Sequence, residues 1–336
     1  MTIKTEKIKY KNTMGLAAMQ GRGFYYPFDL AFDNSERIYV LGRGHDGDPR
    51  GCRLVVMDMN EEYYGTFGSH GTEDGQFLWP SSIAVNSDDN LYISDEASNK
   101  ITIMSKDGDF ISCFGEFGTK DGQFDGPTGL VFDDEDNLYI VDHRNGRIQV
   151  FNNEGKFIRK FSSIGNSPGK LNLPWGISLD SSNDLYIADW GNHRIQKFSR
   201  EGTFITTIGS YGVSDNNLNH PSGVAVDFAG NIFVTDWGNH RLKAFDSVGN
   251  LLFSSRGEAT LSKWAHDFLN TNVEEKNARS KSTLVFELDG FKEDPHEESS
   301  HVEKYFWSPT SVTHRNGEII VVDSNRHRMQ VFTTNF

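Results

Sequence analysis

A repeat of 47 residues limits what this chain can fold into. The clearest copy spans residues 174–209 and reads PWGISLDSSNDLYIADWGNHRIQKFSREGTFITTIG. Each copy opens at a proline, and the matching prolines are Pro27, Pro80, Pro127, Pro174, Pro221 and Pro309. Successive openings lie 53, 47, 47, 47 and 88 residues apart, so the chain contains six repeats.

Inside one copy the apolar residues alternate with a period of two. Four short runs are rich in β-branched and aromatic residues and are separated by turn-forming sequences: 177–179, 185–187, 195–198 and 204–208. Each repeat is therefore predicted to form four short antiparallel strands. Such a unit cannot bury both of its faces alone, and its repetition around an axis forms the blades of a propeller. We predict an all-β, six-bladed β-propeller.

Three turn sequences resemble a known family. They are DWGNHRIQ at 189–196, DWGNHRL at 236–242 and DHRNGRIQ at 142–149, and they resemble the NHL repeat. The resemblance extends over nearly the whole chain and implies a six-bladed β-propeller. It implies much less about function, because one fold supports many functions.

The two ends of the chain are predicted to meet in one blade. Blades one to five occupy residues 27–256, and blade six occupies 307–336 but ends after its third strand. Residues 6–13, EKIKYKNT, are predicted to supply the missing fourth strand and so close the ring. One propeller domain then covers residues 1–336.

An insertion separates blades five and six, at residues 257–306. Its first part carries apolar residues at the spacing of one helix face: Leu261, Trp264, Ala265, Phe268 and Leu269. We predict that this helix packs on the propeller as a lid. A strand-like run at 283–288 and a mobile polar segment at 293–304 are predicted to follow.

Composition narrows the possible partners. A formal charge of −14 and a pI near 5.2 make nucleic acid an improbable partner, because such binding needs clustered Lys and Arg. No window approaches the ~18 apolar residues of a membrane-spanning helix, so we expect a soluble cytoplasmic protein with no membrane partner. The two cysteines, Cys52 and Cys113, are too few to form a disulfide framework in so long a chain. We expect both to be buried, unreactive thiols within their strands.

The candidate site lies at one end of the ring. Three groups of residues share this end: those just after each opening proline, those just after the aspartate of the second strand, or after Gly42 in blade one, and the insertion. Blades one to three contribute Arg43, Glu96, His143 and Arg144, whereas blades four and five contribute Trp175, Trp190 and Trp237. Phe28, His45 and Trp264 complete the predicted site. Such a pocket would suit a small molecule with an anionic or polar end and an apolar or cationic end.

If the protein is an enzyme, Glu96 and His143 are the predicted acid–base pair. They come from neighbouring blades, and Arg43 would bind an anionic group of the substrate. A structural interpretation applies to the repeated Asp189, Asn192 and Arg194, which are expected to brace their turn. The tryptophans after the aspartates could likewise only cover the blade tops.

Among NHL propellers the enzyme family most similar to this chain is the peptidylglycine amidating lyase. The resemblance implies zinc-binding histidines directly after the opening prolines, but those positions hold Phe28, Ser81, Thr128, Trp175, Ser222 and Thr310. No zinc site of that type and no other metal site is predicted, and the cofactor is left open. Arg43 and Gly44 do match the family's Arg-Gly, whose arginine faces the substrate.

Two functions follow as hypotheses. The first is a small-molecule site, with lyase or hydrolase activity as its enzymatic form, in a lidded pocket at the channel mouth. The alternative is a non-catalytic scaffold that holds a protein or peptide on the same face.

Overall fold

The computed structural model describes residues 7–45, 47–282 and 294–336. The chain begins with strand β1 (Ile8–Met14). Blade one contains β2 (Pro27–Phe32), β3 (Ile38–His45), β4 (Asp48–Met57) and β5 (Tyr63–Phe67). Two short parallel strands follow, β6 (Ser69–His70) and β7 (Gln76–Phe77). Blade two contains β8 (Pro80–Val85), β9 (Leu91–Asp95), β10 (Lys100–Met104) and β11 (Phe110–Phe114).

The next three blades repeat this order. Blade three contains β12 (Pro127–Phe132), β13 (Leu138–Asp142), β14 (Arg147–Phe151) and β15 (Phe157–Phe161). Blade four contains β16 (Pro174–Leu179), β17 (Leu185–Asp189), β18 (Arg194–Phe198) and β19 (Phe204–Ile208). Blade five contains β20 (Pro221–Val226), β21 (Ile232–Asp236), β22 (Arg241–Phe245) and β23 (Leu251–Ser255).

Blade six closes the ring as predicted. Its own strands are β24 (Pro309–Arg315), β25 (Glu318–Asp323) and β26 (Arg328–Thr334), and β1 pairs antiparallel with β26 as the fourth strand. The six first strands contact one another in sequence around the axis, and β2 of blade one contacts β24 of blade six. The chain is therefore a closed six-bladed β-propeller.

The insertion is more helical than the sequence pattern predicted. Helix α1 (Lys263–Thr271) corresponds to the predicted helix, and Ser262 caps it by accepting the N–H of Ala265. Helix α2 (Val273–Lys281) follows directly. Helix α3 (Pro295–His301) occupies the segment predicted to be mobile, where Asp294 caps its first turn. The strand-like run at 283–288 lies outside the described residues.

The apolar core lies at the seams between blades. One cluster joins Tyr39 and Leu41 of blade one to Ile83 and Ile93 of blade two, and equivalent clusters fill the other seams. Each sheet thus buries both faces against its neighbours, which a single four-stranded unit could not do.

The repeated aspartate braces its turn as expected. Asp189 Oδ2 accepts from Asn192 Nδ2 at 2.9 Å and from Arg194 Nε at 2.8 Å, and Oδ1 accepts the N–H of Asn172 at 2.7 Å. This aspartate is fully buried, and it connects the second-to-third-strand turn to the segment that enters the same blade. The opening prolines start the first strands, where a missing N–H is tolerated.

A second repeated contact connects consecutive blades. His193, His240 and His327 each end the turn after the aspartate with a left-handed backbone, at φ of 56, 51 and 54°. Each Nδ1 accepts a backbone N–H from the residue before the next opening proline: His220, Ser308 and Tyr26. Asn99 does the same through Oδ1 with Gly126, at 2.8 Å.

The two cysteines differ in environment. Cys52 is buried within β4, where burial raises the pKa of its thiol to about 12. Cys113 is exposed, so the prediction of two buried thiols was wrong for this one. It lies on β11, the outer strand of blade two, where side chains that point away from the sheet meet solvent.

Candidate functional site

A cavity of about 320 Å³ opens at the mouth of the central channel. The residues that line it are Phe28, Arg43, Trp175, Trp190, Ser222, Trp237 and Thr310. Each directly follows either an opening proline or the second-strand residue that pairs with that proline. The structure thus brings together five residues of the predicted site: Phe28, Arg43, Trp175, Trp190 and Trp237. Ser222 and Thr310 were not selected from the sequence, although they occupy equivalent positions.

Strand register explains why these positions converge. Pro174 pairs with Asp189, and Pro221 pairs with Asp236. The residue after each proline and the residue after each aspartate therefore lie at the same end of the blade. The ring then brings equivalent ends of six blades around one axis.

Three tryptophans form a continuous aromatic wall. The ring centroids of Trp175 and Trp190 are 6.5 Å apart, and those of Trp190 and Trp237 are 6.2 Å apart. His220 packs on Trp190 at 3.9 Å. These contacts hold the indole rings in place before any ligand arrives.

Phe28 and Trp175 meet across the channel. They belong to blades one and four, which are opposite in a ring of six, and their ring centroids are 6.0 Å apart. Below them the first strands enclose a second cavity of about 360 Å³. The two rings therefore stand between the mouth pocket and the channel interior.

A carboxyl group lies in the lower cavity. Asp29 Oδ2 accepts from Ser82 Oγ at 2.6 Å and from the N–H of Ile83 at 3.1 Å, so it joins blade one to blade two. Burial raises the pKa of Asp29. Asp29 was not predicted, although the corresponding residues of the other five blades are all glycine or serine, which marks it as different.

Arg43 brings positive charge to the wall of the mouth pocket. Its guanidinium packs against Phe28 at 4.3 Å and Trp79 at 4.5 Å, and it forms an ion pair with Glu96. The side chain is 7% exposed. Burial lowers the pKa of Arg43 to about 10, which the charge of Glu96 opposes, so Arg43 stays protonated at neutral pH. Trp79 was not predicted as a site residue, because it precedes its opening proline and the predicted positions follow theirs.

Glu96 is shared between two arginines. Its Oε2 pairs with Arg43 and its Oε1 pairs with Arg144, whose guanidinium also lies 3.4 Å from Asp125. Both carboxylate oxygens are therefore engaged by cations. This arrangement fits a residue that holds Arg43 in place better than one that accepts a proton.

His143 lies behind the aromatic wall. Its Nδ1 is 2.9 Å from the carbonyl oxygen of Pro174, so Nδ1 carries the proton and Nε2 keeps a lone pair. The imidazole meets the ring of Trp175 edge-on at 5.1 Å. Burial lowers the pKa of His143. The histidine supports Trp175 from outside the pocket and is not one of its lining residues.

Three other predicted residues lie away from the pocket. His45 packs against Tyr26 at 5.1 Å, and the partly exposed Arg144 reaches the pocket only through Glu96. Trp264 is fully buried at the outer rim, where it packs on Phe24 and donates from Nε1 to the carbonyl oxygen of Glu61 at 2.6 Å.

The prediction that α1 covers the mouth was therefore wrong. The start of α1 is attached to the closing strand, since the N–H of Thr260 donates to Tyr10 Oη at 3.0 Å and Ser262 Oγ donates to the carbonyl oxygen of Gly15. The insertion approaches the mouth through α3, which packs against the short helical turn Trp237–Asn239. His296 of α3 lies 3.3 Å from His240, from Nδ1 to Nε2.

Within residues 7–45, 47–282 and 294–336, no group of three His, Cys, Asp or Glu side chains is arranged to hold a metal ion. In the same ranges, no helix has the length and apolar character needed to cross a membrane.

The fold defines the protein as a six-bladed β-propeller, and aromatic residues line the cavity at its mouth. The NHL-repeat model matches residues 124–151, 171–198, 218–245 and 306–332, so these four segments of the propeller are NHL repeats. No curated protein matches the chain.

Solved structures of similar fold include two lyases. A streptogramin B lyase structure has a TM-score of 0.56 at 14% identity, over 98% of each chain. A catalytically inactive virginiamycin B lyase from Staphylococcus aureus with quinupristin has a TM-score of 0.58 at 11% identity, over 98% of this chain and 100% of the other. A Bacteroides thetaiotaomicron protein of unknown function has a TM-score of 0.60 at 16% identity, over 97% of this chain and 73% of the other. At these identities the likeness concerns the fold alone.

Proposed function

We propose that the mouth pocket binds a small molecule. The observation that carries this proposal is the convergence of Phe28, Trp175, Trp190 and Trp237 around a cavity of about 320 Å³ that also contacts Arg43. A concave, mostly aromatic site with a few polar groups is the usual form of a small-molecule pocket.

The pocket is also held in its open shape. His220 packs on Trp190, His143 supports Trp175, and Glu96 holds Arg43. Side chains already fixed in place lose little entropy when a ligand binds, which favours affinity.

Native mass spectrometry of gently purified protein tests the proposal. We expect a retained small molecule in the wild type and its loss in Trp237→Ala. Trp307→Phe is the matched control, because Trp307 packs against His296 and Arg326 outside the pocket. Equal ligand content in Trp237→Ala and wild type would place the bound molecule elsewhere and contradict the proposal.

Lyase or hydrolase chemistry is the enzymatic form of this proposal. His143 is the candidate base because its Nε2 keeps a lone pair, although its ring lies behind Trp175 and does not line the pocket, and Glu96 positions Arg43. Quinupristin, which accompanies one structural neighbour, is a suitable first substrate. Conversion followed by chromatography and mass spectrometry should fall at least about 100-fold in His143→Gln, the range of general-base loss. Equal conversion by the variant would exclude His143 as the base.

A partner-binding scaffold is the second candidate function. Phe117, Ile164 and Tyr211 are 69, 64 and 67% exposed, and they repeat at the 47-residue period on three successive blade connections. An exposed apolar row of this kind suits a protein or peptide. Affinity purification should recover a partner with wild type but not with Phe117→Ser/Tyr211→Ser. Identical recovery with both proteins would contradict this function.

We also propose a cytoplasmic location. Cys52 and Cys113 are free thiols, as is usual in a reducing compartment. Cell fractionation checks this, and recovery in an extracellular fraction would contradict it.

A further inference from the structure

We infer that the mouth pocket selects flat aromatic compounds that carry oxygen acceptors, as carboxylates or carbonyl groups. The inference rests on the proposed small-molecule function. It follows from the hydrogen-bonding groups that the pocket leaves available to a ligand.

The indole N–H groups of the wall are available donors. Within the part of the chain that the structure describes, none of the indole nitrogens of Trp175, Trp190 and Trp237 has a hydrogen-bond partner. The contrast is Trp264, whose Nε1 donates to the carbonyl oxygen of Glu61. Indole is a donor only, so a ligand that uses these groups must supply acceptors.

The hydroxyl groups at the floor have already used their hydrogens. Ser222 Oγ donates to the carbonyl oxygen of Pro309 at 2.9 Å, and Thr310 Oγ1 donates to the carbonyl oxygen of Phe28 at 2.7 Å. Their hydrogens therefore connect neighbouring first strands. Each hydroxyl can offer a ligand only lone pairs.

Arg43 sets the preference for charge. It is the one charged side chain among the described residues that line the pocket, and its partner Glu96 also holds Arg144. An ammonium group at this wall would meet a guanidinium with no free carboxylate nearby. A carboxylate or carbonyl oxygen would instead receive charge-assisted or neutral hydrogen bonds.

The aromatic wall selects the body of the ligand. Trp175, Trp190 and Trp237 extend around one side of the mouth with neighbouring centroids 6.2–6.5 Å apart, and Phe28 faces Trp175. Flat rings gain stacking energy on such surfaces. A saccharide brings many hydroxyl donors, for which this pocket offers few acceptors.

Three probes of similar size test the inference: 3-phenylpropionate, its methyl ester and 3-phenylpropylamine. Their dissociation constants would be measured at pH 7 by titration in saturation-transfer NMR. We expect the acid to bind about tenfold more tightly than the amine, with the neutral ester between them, and all binding to be lost in Trp190→Ala.

Two arginine variants separate charge from shape. Arg43→Met should reduce the preference for acid over amine from about tenfold to about twofold and leave the ester nearly unchanged. Arg50→Met is the matched control, because Arg50 lies on the same blade but is exposed and pairs with Asp48. It should preserve the full preference.

The outcomes distinguish this inference from the proposed small-molecule function on which it rests. If the amine binds as tightly as the acid, and Trp190→Ala abolishes its binding, the pocket is confirmed and the inference is overturned. If none of the three probes binds, the inference is also overturned, and native mass spectrometry decides separately whether the pocket holds any ligand.

Discussion

The Nδ1 atom of His327 accepts the backbone N–H of Tyr26 at 3.0 Å, which ties the last blade to the first. The left-handed backbone of His327 aims its ring at that N–H. Because a nitrogen must be unprotonated to accept, the imidazole has to stay neutral. The same requirement applies to His193 and His240 at two other seams.

Acidification should destabilise the fold through these histidines. Burial lowers the pKa of His327 to about 4 and that of His240 to about 3, while both titrate near 6.5 in the unfolded chain. The unfolded state therefore binds more protons below pH 6.5. The free energy of unfolding should fall as the pH is lowered from 6.5 to 4, by roughly 1–3 kcal/mol for each histidine. Urea unfolding at a series of pH values measures this change in the free energy of unfolding.

A single substitution isolates one of these contributions. Asn99 already performs the same role at the seam between blades two and three, with φ of 59°. His327→Asn should keep the acceptor and the left-handed backbone but remove the titration, so stability should depend less on pH between 6.5 and 4. If wild type and His327→Asn lose stability equally over this range, His327 does not contribute to acid sensitivity.

Blade five neutralises its buried aspartate in a different way. Lys243 is fully buried and its Nζ lies 2.9 Å from Asp236 Oδ2, whereas Arg241 turns to Asp215 at 2.7 Å. In blades three, four and six the arginine pairs with the aspartate and a glutamine occupies the position of Lys243. Lys243→Met should cost about 3–5 kcal/mol, because it leaves a buried carboxylate without its cation.

Lys243→Gln is the control for this prediction. It also removes the cation, but it keeps a side-chain N–H that can donate to Asp236, as Gln149 and Gln196 donate to the aspartates of their blades, so it should cost less unfolding free energy than Lys243→Met. Chemical denaturation of both variants at pH 7 gives the comparison. Equal losses for Met and Gln would show that the missing charge of Lys243, and not a missing hydrogen bond, sets the cost, and no loss in Lys243→Met would contradict the prediction.

Trp264 should matter for stability and not for binding. It fills the core at the seam between blades six and one, so Trp264→Ala should cost about 3–5 kcal/mol of unfolding free energy. Trp237→Ala should show the reverse, with loss of ligand and a stability change below about 1 kcal/mol. Thermal unfolding and probe titration of both variants test this. Loss of 3-phenylpropionate binding in folded Trp264→Ala would contradict our placement of the site.

Removal of the closing strand should open the ring. Deletion of residues 1–14 removes β1 and leaves β26 as an unpaired edge beside the apolar residues of blade six. We expect a lower melting temperature in a thermal scan followed by circular dichroism, and association into larger species that light scattering after size exclusion detects. A peptide of residues 6–15 added in trans should reverse both changes. An unchanged melting temperature after deletion would contradict a stabilising role for this strand.

Much of the fold could be predicted because each blade is encoded locally. The prolines, the period-two strands and the aspartate turns appear in the sequence in the order in which the backbone uses them. Segments without the repeat were harder to predict. Helix α3 was missed because its short polar sequence lacks an apolar stripe, and its stability comes from Arg256 and Arg326, which bond its side chains and carbonyl groups.

The candidate site was likewise predictable only in part. The repeat alone indicated that Arg43, Trp175, Trp190 and Trp237 share one end of the ring, because equivalent positions occupy equivalent places in each blade. Only the packed structure shows that Phe28 meets Trp175 across the axis, and that Trp264 belongs to the rim.

The number of blades, their order and the closure of the ring could all be predicted from the sequence, since they depend on local periodicity and on a strand count. Which side chains touch one another depends on the packing of the blades. Pocket residues extend from Phe28 to Thr310, and their distances depend on how blades pack and on which partners hold each rotamer. Those are properties of contacts between distant segments, and no local pattern contains them.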